Sequence, residues 1–432
     1  MDQNKAIVSD LFNFLEASTS AYHAVLECEK RLVEKGYVKL DMSANWSIGA
    51  SQKYYVMPND SMLVAVNVAS EMHKLNRFKV IAAHNDSPSF KVKTKSEMTY
   101  ENCLKLNTEV YGGPILNTWL DRILALAGKV ALKSEDILQP IIRYVDLKNC
   151  LLTIPNIAIH MNRKMNEGVA LNPQVDLLPI LALIEDKLEA KGYLTKLIAK
   201  ALNVEVSDIL DFDLFLYLTE KGTLIGADEG LISAPRLDDL AMVYASMQAL
   251  MNTKASTGIN IAVCFNHEEV GNTSIDGADS NVLAMITERI TLAYNKTKEQ
   301  YYRMFDTSFM ISADAAHAHH PNLPEKGDPT NSVYMNKGVT IKNSAQKSYA
   351  TDSESAAAFI QICEKAGVQV QCFANRSDIP GGKTLGPIVN KYLPIRTVDV
   401  GVPMWAMHSA REVIGLQDFV DSIQVFETFY KC

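Results

Sequence analysis

The sequence "GINIAVCFNHEEVGN", residues 258–272, joins an apolar run to two adjacent glutamates. The run is rich in β-branched residues and has almost no polar side chains, which is typical of a strand buried on both faces. Glu268 and Glu269 follow where this predicted strand ends. Burying two carboxylates is costly unless a cation pairs with them, so the stretch indicates a cation-binding site at a strand end.

Strand-like and helix-like segments alternate on both sides of this stretch. Apolar strands are predicted at 77–84, 308–314 and 396–402, and a helix at 236–253. The alternation predicts an α/β fold with a mixed, largely parallel sheet sandwiched by helices. Further helices are predicted at 5–36 (as a pair), 173–192, 351–367 and 409–430, with a capping box from Thr351 to Glu354.

The bulk composition excludes several classes of protein. The chain has 432 residues, 47% of them hydrophobic and 21% charged, which fits a globular protein of two domains. A net charge of −8 does not supply the basic surface that nucleic-acid binding needs, and no apolar run approaches the ~20 residues of a membrane span. The seven cysteines form no C-x-x-C pair and the N-terminus has no secretory-signal pattern, so we expect a cytoplasmic protein.

Potential metal ligands collect at the ends of predicted strands. His84 and Asp314 each end a strand, and His408 comes soon after the last one. Asp238 lies at the start of a helix. Because sites in open α/β sheets form outside the carboxyl ends of the strands, these side chains should converge with the two glutamates.

The charges of this set suit a pair of divalent cations. Asp238, Glu269 and Asp314 supply three carboxylates beside two neutral imidazoles. Zinc suits such mixed nitrogen and oxygen ligands, and a two-metal centre activates water while it holds a substrate oxygen. A neighbouring carboxylate that binds no metal would be free to accept the proton of the attacking water.

Each feature alone has a simpler explanation. A single histidine after a strand is more often a hydrogen-bonded structural residue, and Asp238 could serve as a helix N-cap. Paired glutamates are usually part of a solvated face. A metallohydrolase is favoured because several such residues fall at strand ends of one predicted sheet.

Taken together, the residues resemble the aspartyl aminopeptidases, cytoplasmic zinc exopeptidases of the co-catalytic dizinc aminopeptidase clan. The similarity runs over nearly the whole chain and is specific because the motifs occur together and in order. They are "AAHNDSPSFKVK" (82–93), "YGGPILNTWLDR" (111–122), "IAIHMNR" (157–163), "RLDDL" (236–240), "NHEEVGN" (266–272), "ISADAAHAHHPN" (311–322), "GGKTLGPI" (381–388) and "AMHSAREV" (406–413).

The resemblance implies a centre of two Zn²⁺ ions per subunit, for which Co²⁺ or Mn²⁺ could substitute. Asp238 would bridge both ions. His84 and Asp314 would complete one zinc site, and Glu269 and His408 would complete the other. The peptide bond after Asp238 is expected to be cis, as in clan relatives.

The resemblance also assigns residues that act on the substrate or on a ligand. Glu268 resembles the general base and later general acid. Asp86 resembles the carboxylate that orients the histidine ligand of the clan, a contact that fixes the tautomer. Lys342 matches a lysine near the pocket for the acidic side chain, although the sequence alone favours a solvated surface lysine. His160 matches a histidine inserted into the active site of the neighbouring subunit, and Tyr349 matches an active-site position.

The domain organisation and the assembly are likewise implied by the resemblance. Residues 1–93 and 233–432 would form the catalytic domain, and residues 94–232 an inserted, β-rich dimerisation domain. Dimers would assemble into a tetrahedral homododecamer whose active sites face an enclosed chamber.

We therefore expect a metallo-aminopeptidase that releases acidic residues, Asp or Glu, from peptides with a free N-terminus. Three positions depart from the family pattern, with Asp239 in place of Asn, Pro114 where a third glycine is common, and Lys383 in place of Ser or Thr. Lys383 leaves the side-chain preference open, so the alternatives are a dizinc aminopeptidase of other preference or an amidohydrolase of the same clan. A non-catalytic assembly protein with this fold is a remoter alternative, because a scaffold has no need of the free base at Glu268.

Overall fold

Helices and three β-sheets make up the described part of the chain, and helices cover the largest sheet. The structure is a computed structural model that describes residues 2–49, 52–70, 74–185 and 191–432. Within these ranges the helices are α1 (Asp2–Ala17), α2 (Ala21–Glu34), α3 (Tyr193–Leu202), α4 (Leu237–Asn252), α5 (Val282–Ala293), α6 (Lys298–Thr307), α7 (Ser353–Ala366), α8 (Gly386–Val389) and α9 (Leu416–Lys431). The strands there are β1 (Val38–Lys39), β2 (Lys53–Asn59), β3 (Met62–Val68), β4 (Phe78–His84), β5 (Ser89–Tyr100), β6 (Cys103–Tyr111), β7 (Leu124–Leu132), β8 (Ile141–Asp146), β9 (Ile180–Leu183), β10 (Ile209–Leu218), β11 (Thr223–Ile225), β12 (Leu231–Ala234), β13 (Ile259–Phe265), β14 (Phe309–Ala313), β15 (Ala316–His317), β16 (Val339–Asn343), β17 (Val370–Ala374), β18 (Arg396–Gly401), β19 (Pro403–Trp405) and β20 (Glu412–Gly415).

The largest sheet has nine strands in the order β1-β2-β3-β13-β4-β14-β18-β16-β17. Its central strands β13, β4, β14 and β18 run parallel to one another. The pairs β2 with β3, β3 with β13, and β16 with β18 are antiparallel. The prediction of a mixed, largely parallel sheet is therefore confirmed. The helix α4 leads into β13, and α5 and α6 connect β13 to β14, which lie parallel on either side of β4.

Side chains of the central strands alternate between two apolar cores. On β4, Ile81 and Ala83 belong to the core under α1, α2, α4, α7 and α9. Val80 and Ala82 belong to the core under α5, α6 and α8. All four side chains are fully buried, because consecutive strand residues face opposite sides of a sheet that is covered on both. The two cores leave the strand ends as the place where several polar side chains meet.

A six-stranded antiparallel sheet, in the order β8-β7-β10-β5-β6-β9, has a core of its own. Phe90, Trp119 and Leu214 belong to this core, and Leu194 and Ile198 of α3 pack into it. The sheet occupies most of the segment for which the sequence predicts an inserted domain.

A third sheet, in the order β11-β12-β20-β19-β15, lies beside the carboxyl edge of the nine-stranded sheet, where β15 follows β14 and β19 follows β18. Its strand β12 leads into α4, and β20 leads into α9. No helix in the described part of the chain combines the length and the apolar character needed to cross a bilayer.

Three local predictions were wrong. The segment 173–192 contains turns and β9 instead of a long helix, and its residues 186–190 lie outside the described residues. The segment 409–430 begins with β20, so its helix starts only at Leu416. The N-cap of α7 is Asp352, which forms the capping box with Ser355 in place of the predicted pair.

Candidate metal centre

Parallel strands end beside one another, and acidic or imidazole side chains follow them. His84 is the last residue of β4 and is paired with Phe265 at the end of β13. Glu268 and Glu269 follow β13 in a short 3₁₀ turn, and Asp314 follows β14 directly. The register of the sheet therefore brings these four polar side chains to one edge.

Asp238 reaches the same edge from the start of α4. The helix is interrupted there, because Asp238 has a ψ of 109° and its peptide bond to Asp239 is cis, as expected. Asp238 is only 3% exposed. His408, in the loop between β19 and β20, completes the cluster, and its Nδ1 lies 3.1 Å from the backbone oxygen of Gly113.

The potential ligand atoms form three overlapping groups, and within each group the atoms lie within 4.8 Å of one another. His84 Nε2 lies 3.6 Å from Asp238 Oδ1, and His408 Nε2 lies 3.6 Å from Asp238 Oδ2. Asp238 thus presents one oxygen to each histidine, which is the arrangement that a bridging carboxylate requires. The groups are His84 with Asp238, Asp239 and Asp314; Asp238 with Glu269 and His408; and His84 with Glu268 and Glu269.

Three buried oxygens of the cluster have no hydrogen-bond partner among the described residues. They are Oδ1 of Asp238, Oδ1 of Asp239 and Oε1 of Glu269. An unpartnered carboxylate oxygen in a buried site is costly, and a cation removes that cost. Imidazole nitrogens and carboxylate oxygens are also the donors that zinc binds, so the residues present fit zinc.

The pKa shifts of the cluster point to the same need for positive charge. Burial raises the pKa of Glu269 well above its usual value, and the Asp238 carboxylate raises it further. Burial alone would lower the pKa of His84, but the nearby Asp238 and Asp86 carboxylates raise it well above its usual value. Metal binding displaces protons from such groups.

Glu268 differs from Glu269 in its contacts. Its backbone N–H donates to Asp86 Oδ1 at 3.1 Å, whereas its carboxylate forms no hydrogen bond or ion pair with a described residue. Burial, together with the Asp314 and Asp86 carboxylates, raises the pKa of Glu268 to about 8. A carboxyl group with free oxygens and a raised pKa can accept and return a proton near neutral pH.

Asp86 connects His84 to the turn that carries the two glutamates. Its carboxylate accepts the N–H of Glu268 at 3.1 Å, the N–H of Glu269 at 3.2 Å and the hydroxyl of Tyr111 at 2.7 Å. His84 Nδ1 lies 3.0 Å from the backbone oxygen of Asp86 and 3.4 Å from its Oδ1. Asp86 therefore contacts both His84 at the end of β4 and the glutamate turn that follows β13.

The cluster opens into a cleft of about 910 Å³ whose walls carry lysines. Lys342 is 3% exposed and lies 3.4 Å from Asp314 Oδ1, so the interpretation as a solvated surface lysine was wrong. Tyr349, also 3% exposed, lies beside it, with its ring centroid 5.4 Å from the Lys342 ammonium. The cleft is further lined by Lys347, Lys383 and Lys391.

His160 lies apart from the other predicted site residues. It is exposed in a loop of the segment between β8 and β9, and it does not line the cleft of its own chain. Its neighbour Met161 is 76% exposed. The side chain is therefore placed at a surface rather than at the cluster of its own subunit.

The sequence predictions missed Glu412 and His317. Glu412 is 2% exposed, and its carboxylate accepts the N–H of His408 at 2.8 Å and the N–H of Asp238 at 2.9 Å. One side chain thereby fixes the backbone of two potential ligands. No spacing in the sequence points to this role, because Glu412 acts through backbone N–H groups. His317 lines the cleft and packs against Phe373, with ring centroids 6.0 Å apart.

Comparison with protein families gives one match over nearly the whole chain. The family described as "Aminopeptidase I zinc metalloprotease (M18)" matches residues 14–430. A probable M18 family aminopeptidase 2 of Clostridium novyi (strain NT) is 49% identical over 424 residues, which cover 98% of this chain and 98% of that protein.

Solved structures share the fold. The cryo-EM structure of the Ape4 and Nbr1 complex contains a chain that is 32% identical, with a TM-score of 0.94, covering 99% of this chain and 86% of that one. The structure of the mApe1 dodecamer of S. cerevisiae is 26% identical, with a TM-score of 0.85, covering 100% of this chain and 97% of that one.

Proposed function

Because the chain belongs to the M18 family of zinc metallo-aminopeptidases, we propose that it releases acidic residues, Asp or Glu, from the N-termini of peptides. The observation that carries the acidic preference is the buried Lys342 on the wall of the cleft. A buried ammonium favours a carboxylate partner because the charge-assisted hydrogen bond is strong where water is excluded. Lys342 already lies 3.4 Å from Asp314 Oδ1 and donates to the backbone oxygen of Ala315 at 3.1 Å, so its remaining N–H would bind the first side chain of an Asp or Glu peptide.

Two zinc ions per subunit fit the donor set. His84, Asp238 and Asp314 would hold one ion, and Asp238, Glu269 and His408 would hold the other. Co²⁺ and Mn²⁺ accept similar donors, so availability decides which metal is used. When bound, the ions polarise the scissile carbonyl and lower the pKa of water.

The other residues around the centre transfer protons or hold the metal ligands in position. Glu268 takes the proton of the attacking water on its free carboxylate and returns it to the amine of the departing peptide. Asp86 holds His84 and the glutamate turn in place, and Glu412 holds the backbone of Asp238 and His408. Fixed ligands and a fixed base are what a two-step proton transfer needs.

The acidic substrate side chain is bound by the lysine-lined part of the cleft. Lys342 provides the buried cation, and Tyr349 packs beside it. Lys383 is exposed on the same cleft and adds a second positive charge within reach of the solvent-facing part of the substrate. His160 reaches the cleft of a neighbouring subunit, which its exposed position permits.

The proposed assembly is a cytoplasmic tetrahedral dodecamer built from dimers. Exposed apolar side chains in the segment 94–232 support an interface there, since Ile137 is 91%, Leu138 90% and Met161 76% exposed. Large exposed apolar residues grouped in one unit mark interaction surfaces. Native mass measurement should give twelve times the subunit mass of 47.8 kDa.

The substrate preference is tested by a chelation and metal add-back assay on matched peptides. Chelated enzyme should be inactive, and zinc should restore hydrolysis of Asp- and Glu-amides well above that of Leu- and Lys-amides. N-acetylated Asp-amide should remain uncut, because an aminopeptidase needs the free amine. Preference for Leu-amide would indicate a related aminopeptidase of other specificity. Cleavage of the acetylated amide would indicate an amidohydrolase, and zinc binding without any hydrolysis would indicate an assembly protein.

A further inference from the structure

A second cavity lies next to the ligand cluster and is separate from the cleft. It has a volume of about 60 Å³, and none of the described residues lines both spaces. Asp86 and Glu412, which hold the ligands from behind, form part of its wall. Aromatic side chains form much of the rest, namely Tyr22, Tyr111, Trp119, Phe215 and Tyr217.

Three residues from distant segments line this cavity with buried donors that have no partner. Arg236 donates from Nη2 to the backbone oxygen of Leu15 at 2.9 Å, but its Nε and Nη1 have no hydrogen-bond partner among the described residues. The same holds for Nε1 of Trp119 and Oγ1 of Thr19, whose residues are 4% and 5% exposed. Buried donors without acceptors are rare in folded proteins and indicate an acceptor that fills the space between them.

No carboxylate among the described residues lies within ion-pair distance of Arg236, and Glu412 and Asp146 attract it only from farther away. Both oxygens of Glu412 accept backbone N–H groups, those of His408 and Asp238. Both oxygens of Asp86 are likewise taken by N–H and hydroxyl donors. Among the described residues Arg236 has no ion-pair partner, and Tyr217 covers it with a ring centroid 5.6 Å from Cζ. A buried guanidinium without an anion is costly.

We propose that this cavity binds a small monovalent anion, a halide or formate, through Arg236, Trp119 and Thr19. The volume is about four times the ~10–15 Å³ that one water requires, so an anion with one or two waters fits and a peptide or nucleotide does not. Water could also satisfy the donors, but only an anion would place a negative charge in direct contact with the guanidinium. The bound anion completes the wall that Asp86 and Glu412 form behind the metal ligands.

Diffraction from crystals of the full-length protein soaked in sodium bromide tests the proposal directly. An anomalous bromide peak is expected in the cavity, within hydrogen-bond distance of Arg236, and formate density is expected at the same place in a second soak. Water density in both soaks would overturn the proposal.

Bromide affinity, measured as the shift of the unfolding temperature at constant ionic strength, adds a quantitative test. Gluconate, which is too large for the cavity, keeps the ionic strength fixed. Thr19→Val and Trp119→Phe each remove one donor with little change of shape, and each should weaken bromide binding about 3- to 10-fold. Arg236→Met should abolish the shift. Arg289→Met removes a guanidinium that stacks on Trp46, outside the cavity, and should leave it unchanged. Equal shifts in all of these variants would contradict the assignment.

Discussion

Replacing Glu268 by Gln separates proton transfer from metal binding. The substitution changes one carboxylate oxygen to an amide and keeps the size of the side chain. The backbone N–H of residue 268 still donates to Asp86, and the carboxylate itself has no hydrogen bond to a described residue that would be lost. Folding and zinc content should therefore be unaffected, while the group that accepts the proton is gone.

The size of the effect follows from what general-base catalysis contributes. A positioned base typically accelerates a reaction by about 10²- to 10⁴-fold, so kcat for Asp-amide hydrolysis should fall by that factor. This corresponds to about 2.7 to 5.5 kcal/mol in the activation free energy. KM should change little, because Glu268 is assigned no contact with the substrate side chain.

Glu269→Gln is the matched control, since it makes the same chemical change one residue away. Glu269 Oε2 lies 3.4 Å from His408 Nε2, and Oε1 has no partner among the described residues. Loss of this carboxylate should weaken zinc binding by more than the ~10- to 100-fold that supporting residues contribute, and added zinc should partly restore activity. Near-normal kcat in Glu268→Gln, or rescue of that variant by zinc, would refute the division of labour between the two glutamates.

Three further predictions concern specificity, capping and pH. Lys383→Thr should lower the kcat/KM ratio of Asp-amide over Leu-amide by about two- to fivefold, since exposed charge pairs contribute only ~0.2–1 kcal/mol; an unchanged ratio would remove Lys383 from substrate recognition. Asp352→Ala should lower the free energy of unfolding by ~1 kcal/mol in urea denaturation, and Asp352→Asn by much less, because Asp352 accepts the N–H of Ser355 at the start of α7; equal effects would rule out the cap as the cause. Burial lowers the pKa of Lys79 from 10.5 to about 8, so the unfolded chain binds more protons than the folded chain between these pH values, and the free energy of unfolding rises with pH there. Relative to Lys79→Met, the wild-type protein should gain up to ~3 kcal/mol in the free energy of unfolding from pH 8 to pH 10.5. Parallel curves of stability against pH would contradict the shift.

The sequence predicts the sheet and its polar edge because both depend on simple physical patterns. Strands β4, β13 and β14 are mostly apolar, which is typical of central strands, and polar side chains at their ends should therefore meet at one edge. His84, Glu268, Glu269 and Asp314 could be assigned to that edge by this argument.

Other elements depend on tertiary contacts that local patterns do not reveal. In the segment 173–192 the apolar spacing resembles a helix, but Pro179 disfavours helical geometry at Leu178, and the chain after it pairs with β6 as β9. Thr351 is not the cap of α7 because its hydroxyl accepts the N–H of Asp399. Competing partners elsewhere in the fold decided both cases.

Glu412 illustrates the same limit within the centre itself. Its segment carries helical periodicity, yet residues 412–415 pair with β12 as β20 and direct the carboxylate to the backbone of Asp238 and His408. A residue that binds backbone N–H groups leaves no spacing rule in the sequence. Only the folded chain shows which N–H groups it reaches.

The dinuclear centre is tested most directly by counting zinc. Elemental analysis of protein that has been reconstituted with zinc and then dialysed should give two zinc ions per chain, falling to one or fewer in both Glu269→Gln and His408→Ala, while Glu268→Gln retains two. A fully active enzyme that holds a single zinc ion per chain, or an unchanged zinc content in Glu269→Gln, would contradict the account.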